Sequence, residues 1–142
     1  MTPLKKTILI SLSLWLFSSQ VIAIEKQQIT FKKVMQGLLV DTQNITKGIV
    51  LTDFTLIEKS AKKIVDHPKP DLAIRMKIVK ALGSDMGKFK AKDNVVHKSA
   101  VNLLKAAKLK NMEAVTQEYQ ALINGCLGCH SQFKDKVAAA LK

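Results

Sequence analysis

From Asn111 to Leu141 the chain carries one uninterrupted stripe. Met112, Val115, Tyr119, Leu122, Cys126, Cys129, Phe133, Val137 and Ala140 recur at three- and four-residue steps in nearly unbroken alternation. That spacing returns each residue to the same side of an α-helix and matches no strand period. No proline interrupts the run, and Asn111 is a good helix N-cap. A helix this long with one apolar stripe can bury it only against other helices. The stripe therefore points to an all-α fold, and both cysteines of the chain lie on it.

Three further amphipathic segments supply partners. The first runs roughly from Glu25 to Lys47, with Phe31, Met35, Leu38, Thr42, Ile45 and Ile49 on one face and Gly48 as its punctuation. The second runs roughly from Asp53 to Val65 on Phe54, Ile57, Ala61 and Ile64. Thr52 or Asp53 can cap it, Thr55 to Glu58 fits a capping box slightly further in, and Pro68 and Pro70 end it. The third runs roughly from Asp85 to Lys108 on Phe89, Val96, Ala100, Leu103 and Ala107. Residues 71–83 read as a short extra helix capped by Asp71 and closed by Gly83, or as an irregular connection. Four helices with mostly short connections predict an antiparallel up-down-up-down bundle, with the 66–84 connection as its main irregularity.

The stripe carries Cys126-Leu127-Gly128-Cys129-His130, the Cys-x-x-Cys-His spacing of covalent c-type haem attachment. Two thiols one turn apart can each bond a haem vinyl carbon, and the adjacent His130 imidazole can reach the iron. A thioredoxin-like dithiol would follow a strand in a βαβ setting, and no strand pattern is visible. A structural zinc site needs four ligands, and the other histidines, His67 and His97, have no partner at ligand spacing. The motif predicts one covalent haem c.

Residues 1–23 read as a cleaved signal peptide. Lys5 and Lys6 form a positive start, Ile8 to Phe17 an apolar core, and Val21-Ile22-Ala23 a small-residue cleavage site. The apolar run is short for a membrane span, so no stable membrane anchor is expected. Export to the periplasm fits haem c, which bacteria attach outside the cytoplasm. Residues 24–142 then form the haem domain. The leader holds two lysines and no acidic residue, so the net charge of +12 becomes +10 without it. A basic exported protein suits partners with acidic docking surfaces or anionic surfaces. Export and scattered lysines argue against nucleic acid.

A haem motif on the last of four helices, followed by Ser131-Gln132-Phe133-Lys134, resembles the class II cytochromes c, the cytochrome c-prime group and its six-coordinate relatives. The resemblance implies a four-helix bundle with haem c on the C-terminal helix, Cys126 and Cys129 as attachment points and His130 as axial ligand. The family often has arginine where Lys134 stands. Homodimers occur in the family. Cytochrome c-prime itself leaves the sixth iron position open behind an apolar side chain, whereas the six-coordinate relatives use a methionine of the first helix.

Heights along the predicted bundle point to Met35 for that methionine. His130 lies about ten residues before the end of the last helix and Met35 about ten after the start of the first, each roughly 15 Å at 1.5 Å per residue. His97 misses the height of His130 by roughly 13 Å. Counted back from Gly48, the family's distal position falls near Lys32, one turn before Met35, so core packing is the alternative role for Met35. Phe133, on the turn after the motif, is placed to pack on the haem. The leading expectation is a periplasmic one-electron carrier rather than an enzyme. The alternative is a five-coordinate protein binding nitric oxide or carbon monoxide. A peroxidase needs distal polar groups, and the sequence places none at the right height. Lys134, Lys136, Lys32 and Lys33 are the nearest candidates for a docking rim.

Overall fold

The computed structural model describes residues 30–142, and the predicted signal peptide and the stretch 24–29 lie outside that range. Five α-helices follow one another: α1 Phe31–Leu51, α2 Phe54–Val65, α3 Leu72–Leu82, α4 Met86–Lys108 and α5 Met112–Ala140. A single 3-10 turn, Gly83–Asp85, joins α3 to α4. Among the described residues there is no strand. The bundle consists of α1, α2, α4 and α5, and α3 lies against α5.

Side-chain caps fix the helix starts. The Thr30 hydroxyl accepts the Lys33 N–H at 3.1 Å, the Asp53 carboxylate the Leu56 N–H at 2.9 Å, and the Asn111 side-chain oxygen the Ala114 N–H at 3.0 Å. Each bond satisfies one of the amide donors that a first turn leaves free. Of the two candidate caps for α2, Asp53 takes the role. Thr52 instead closes α1 in the left-handed conformation (φ 55°), its N–H bonded to the Gly48 and Ile49 carbonyls. Asp71 precedes α3, although its side chain makes no capping bond.

Gly48 departs from its expected role. It does not end α1, which continues to Leu51. It is a crossing point, because a Cβ there would come 2.6 Å from Ile57 Cγ1 and 3.2 Å from the Ile57 backbone nitrogen. Only glycine lets α2 approach this closely as it turns back on α1.

Two apolar clusters fill the interior. The larger joins four helices through Ile45, Ile57, Ala61, Ile64, Ala100, Leu103, Val115 and Leu122, with Tyr119 and Leu38 against it. The smaller joins α3 to α5 through Ile78, Leu82, Phe133 and Val137, with Phe31, Phe89 and Cys129 against it. Phe89 and Phe133 meet edge to face, ring centroids 5.6 Å apart. The buried side of α1 is centred on Val34, Asp41, Ile45 and Gly48, rotated from the predicted face because α2 takes that side. Asp41 is tolerated there because the Lys63 ammonium of α2 lies 3.7 Å away.

Candidate haem site

Cys126 and Cys129 stand mid-helix on α5, one turn apart and both half-buried. Burial is the main cause that raises both thiol pKa values. At Cys129 the Asp93 carboxylate and Cys126 add to the rise and Lys92 opposes it; at Cys126 a backbone hydrogen bond opposes it. Reactive dithiols gain their thiolate from a helix N-terminus or a neighbouring cation that outweighs burial. These two have neither, which disfavours the redox-dithiol reading and leaves neutral thiols on an inward-facing stripe.

The glycines of this region set the approach of α4. Gly125 is buried, and a Cβ there would meet Val96 Cγ2 at 2.9 Å and Val95 Cγ1 at 3.3 Å. A Cβ on Gly128 would lie 3.4 Å from the Lys92 ammonium. The paired contacts along α4 and α5 are Asn102 to Glu118 at 3.2 Å, Val96 to Gly125, Lys92 to Gly128, Phe89 to Phe133, and, at the 3-10 turn, Asp85 to Lys136 at 3.3 Å. Sequence reasoning missed Gly125, because a glycine adds nothing to an apolar stripe. The available signal was a glycine at a buried position of an otherwise good helix, which usually marks close approach of a neighbour.

The opposite flank of α5 faces a sparser neighbour. The Thr46 hydroxyl of α1 and the Tyr119 hydroxyl of α5 share a hydrogen bond at 2.5 Å. At the other end of α1, Phe31 packs on the cluster that contains Phe133. Between those ends α1 and α5 touch little. Met35 is half-buried and His130 is exposed. Leu39 on α1 is 58% exposed and Leu127 on α5 is 61% exposed. Phe133, by contrast, is fully enclosed in the smaller cluster.

The other candidates fall elsewhere. A concavity of about 440 Å³ lies between α1 and α2 and includes Lys33, Gly37, Asp41, Lys63 and His67, but neither cysteine nor His130. We therefore do not take it as the haem site. A void of about 20 Å³ has His67, Asp93 and His97 on its wall. Among the described residues no three of histidine, cysteine, aspartate and glutamate are grouped so as to hold a metal ion. His67 Nδ1 lies 3.2 Å from the Pro68 carbonyl oxygen, a local turn contact.

The donor set fits a covalently held haem. Two neutral thiols stand one turn apart, an exposed imidazole follows, and apolar side chains flank them. An all-helical bundle with this set on its last helix defines a class of haem proteins, and comparison with known families agrees. The family model described as Cytochrome C' matches residues 23–134, which include the whole motif. The chain belongs to the cytochrome c-prime family, the class II cytochromes c. No curated protein and no solved structure gives a significant match.

Proposed function

We propose that the chain is an exported one-electron carrier with one covalent haem c, and that His130 and Met35 are the two iron ligands in an antiparallel bundle. One observation carries the choice of ligands, the Thr46–Tyr119 hydrogen bond. It fixes the register of α1 against α5. Met35 lies eleven residues before Thr46, and His130 lies eleven residues after Tyr119. Eleven residues span about 16 Å and three turns plus roughly 20°. On ideal antiparallel helices both side chains would thus return to the flank of that contact, at equal distance from it. Phe31 beside the Phe133 cluster supports the same antiparallel register of α1 on α5.

When bound, haem c supplies an iron that passes between Fe(III) and Fe(II) with one electron. Cys126 and Cys129 would each add the S–H bond across a vinyl double bond, sulfur to one carbon and hydrogen to the other. His130 would supply the nitrogen ligand. Met35 would supply a soft sulfur that favours the ferrous state and raises the potential. Leu39 and Leu127 supply apolar surface beside these ligands and would limit water there, which acts in the same direction. Phe133 supports the site from beneath, through its packing on Phe89 and Cys129. Among the docking lysines, Lys136 is engaged by Asp85 at 3.3 Å, so Lys32, Lys33 and Lys134 are the freer rim for an acidic partner. Exposed charges of this kind mainly set encounter rates.

Gas binding is the second reading, favoured by the family match itself, since cytochrome c-prime leaves its sixth position open. Spectra of the purified holoprotein, oxidised and reduced, separate the two. A carrier gives low-spin spectra that carbon monoxide leaves unchanged. A high-spin ferrous spectrum that shifts with carbon monoxide would replace the carrier reading with the second.

A further inference from the structure

Helix α3 is apolar on two sides. Its inner side, Ile74, Ile78 and Leu82, packs on α5 beside Phe133 and Val137. Its outer side is a second stripe: Leu72 is 64% exposed, Met76 58% and Val79 41%. At 100° per residue these three fall within about 60° of arc. On the same wheel Arg75 lies about 60° to one side of the stripe, and Lys80 about 80° to the other, with Lys77 beyond it. All three cations are exposed, and no acidic residue occurs between Leu72 and Leu82. Just before the helix, Lys69 and Asp71 offset each other in charge.

A helix that needs only one apolar side for its fold gains nothing from a second in water. An apolar ridge with cations on both flanks is the pattern of a helix lying in a lipid interface, where the stripe enters the acyl boundary and the cations meet phosphate headgroups. We propose that α3 docks this protein reversibly on an anionic phospholipid surface, through Leu72, Met76 and Val79 with Arg75, Lys77 and Lys80 as headgroup contacts.

Charge complementarity selects this occupant. A second copy seated face to face on the ridge would set cations against cations. The ridge also stands out from the bundle, since α3 packs chiefly on α5 and the 3-10 turn, and a convex single-helix ridge suits a deformable planar surface. Among the described residues no helix is long and apolar enough to cross a membrane, so the attachment is peripheral. Because α3 rests on the segment of α5 just past His130, docking would hold the motif end of the bundle toward the membrane. The inference does not depend on which residues ligate iron.

The test is co-sedimentation of the holoprotein with vesicles of phosphatidylcholine alone or mixed with phosphatidylglycerol, at low and high salt. Binding is expected only with phosphatidylglycerol and is expected to fall with salt. Each headgroup-facing cation contributes about fivefold to the partition constant, so Arg75→Glu/Lys80→Glu should lose at least roughly thirtyfold. Leu72→Ser/Met76→Ser/Val79→Ser, which alters only exposed side chains, should also lose binding while far-ultraviolet circular dichroism stays helical. Lys108→Glu/Lys110→Glu, an equal charge change at the far end of α4, should lose much less. Absence of wild-type binding, equal loss in this control, or full binding by the stripe variant would overturn the proposal. So would self-association that the stripe variant abolishes, in a protein that ignores both kinds of vesicle.

Discussion

The two ends of the bundle are built differently. At the α1–α2 and α4–α5 turns, four helices close on Ile45, Ile57, Leu103, Val115 and Leu122, all fully buried, and the Thr46–Tyr119 bond ties α1 to α5. At the motif end the fourth side is thin. There α3 is added to complete a smaller cluster on Phe133 and Val137, while Leu39, Leu127 and His130 remain exposed. The difference separates two tasks. The dense end ties the helices together, and the open end carries the half-buried Met35, Cys126 and Cys129 and the exposed His130.

The largest expected effect comes from opening the dense end. Leu122→Ala should cost about 2–5 kcal/mol in urea unfolding, since it removes a fully buried side chain and leaves a cavity. A cost below 1 kcal/mol would mean that this end does not hold the fold. Gly48→Val comes next. Its methyls must displace Ile57 and nearby backbone, and overpacking of that kind costs about 1–3 kcal/mol. Thr52→Gly acts in the opposite direction. It relieves a β-branched residue held at φ 55°, and a gain of about 1 kcal/mol is expected by the same unfolding assay.

The smallest effect concerns the motif end. Lys88 and Lys136 hold the Asp85 carboxyl below its ordinary value of 3.8, mainly by hydrogen bonding. A depressed folded pKa adds stability that is present above the unfolded value and is lost as pH falls through the folded one. Asp85→Asn should therefore leave a shallower loss of stability below about pH 3.9, with little change near neutrality because the pair is exposed. An unchanged acid limb in thermal melts would show that this contact does not tie α5 to the 3-10 turn.

The contrast between the ends also explains what the sequence revealed. Helix α5 was legible from Asn111 onward because its stripe is unbroken and its cap is a strong one. Helix α3 was only half legible, because Leu72, Met76 and Val79 blur the period set by Ile74, Ile78 and Leu82. Gly48 resembles a stop signal in one dimension, and only the approach of Ile57 shows it to be a crossing. Asp41 carries no local signal of burial, and its place in the interior depends on Lys63, twenty-two residues away. Cys126, Cys129 and His130 stand out as candidates by spacing alone. The heights of Met35 and His130 could be estimated from helix ends, but the contact that fixes them, Thr46 to Tyr119, joins residues far apart in sequence and has no local signal.

The central claim is that this register places Met35 opposite His130 as an iron ligand. The most direct measurement is the long-wavelength sulfur-to-iron absorption band of the oxidised holoprotein, in the wild type and in Met35→Ala. The account predicts a low-spin wild type with the band, and its loss in Met35→Ala with helicity retained and carbon monoxide now bound by the ferrous form. A wild type without the band, or a band that persists in Met35→Ala, would contradict it.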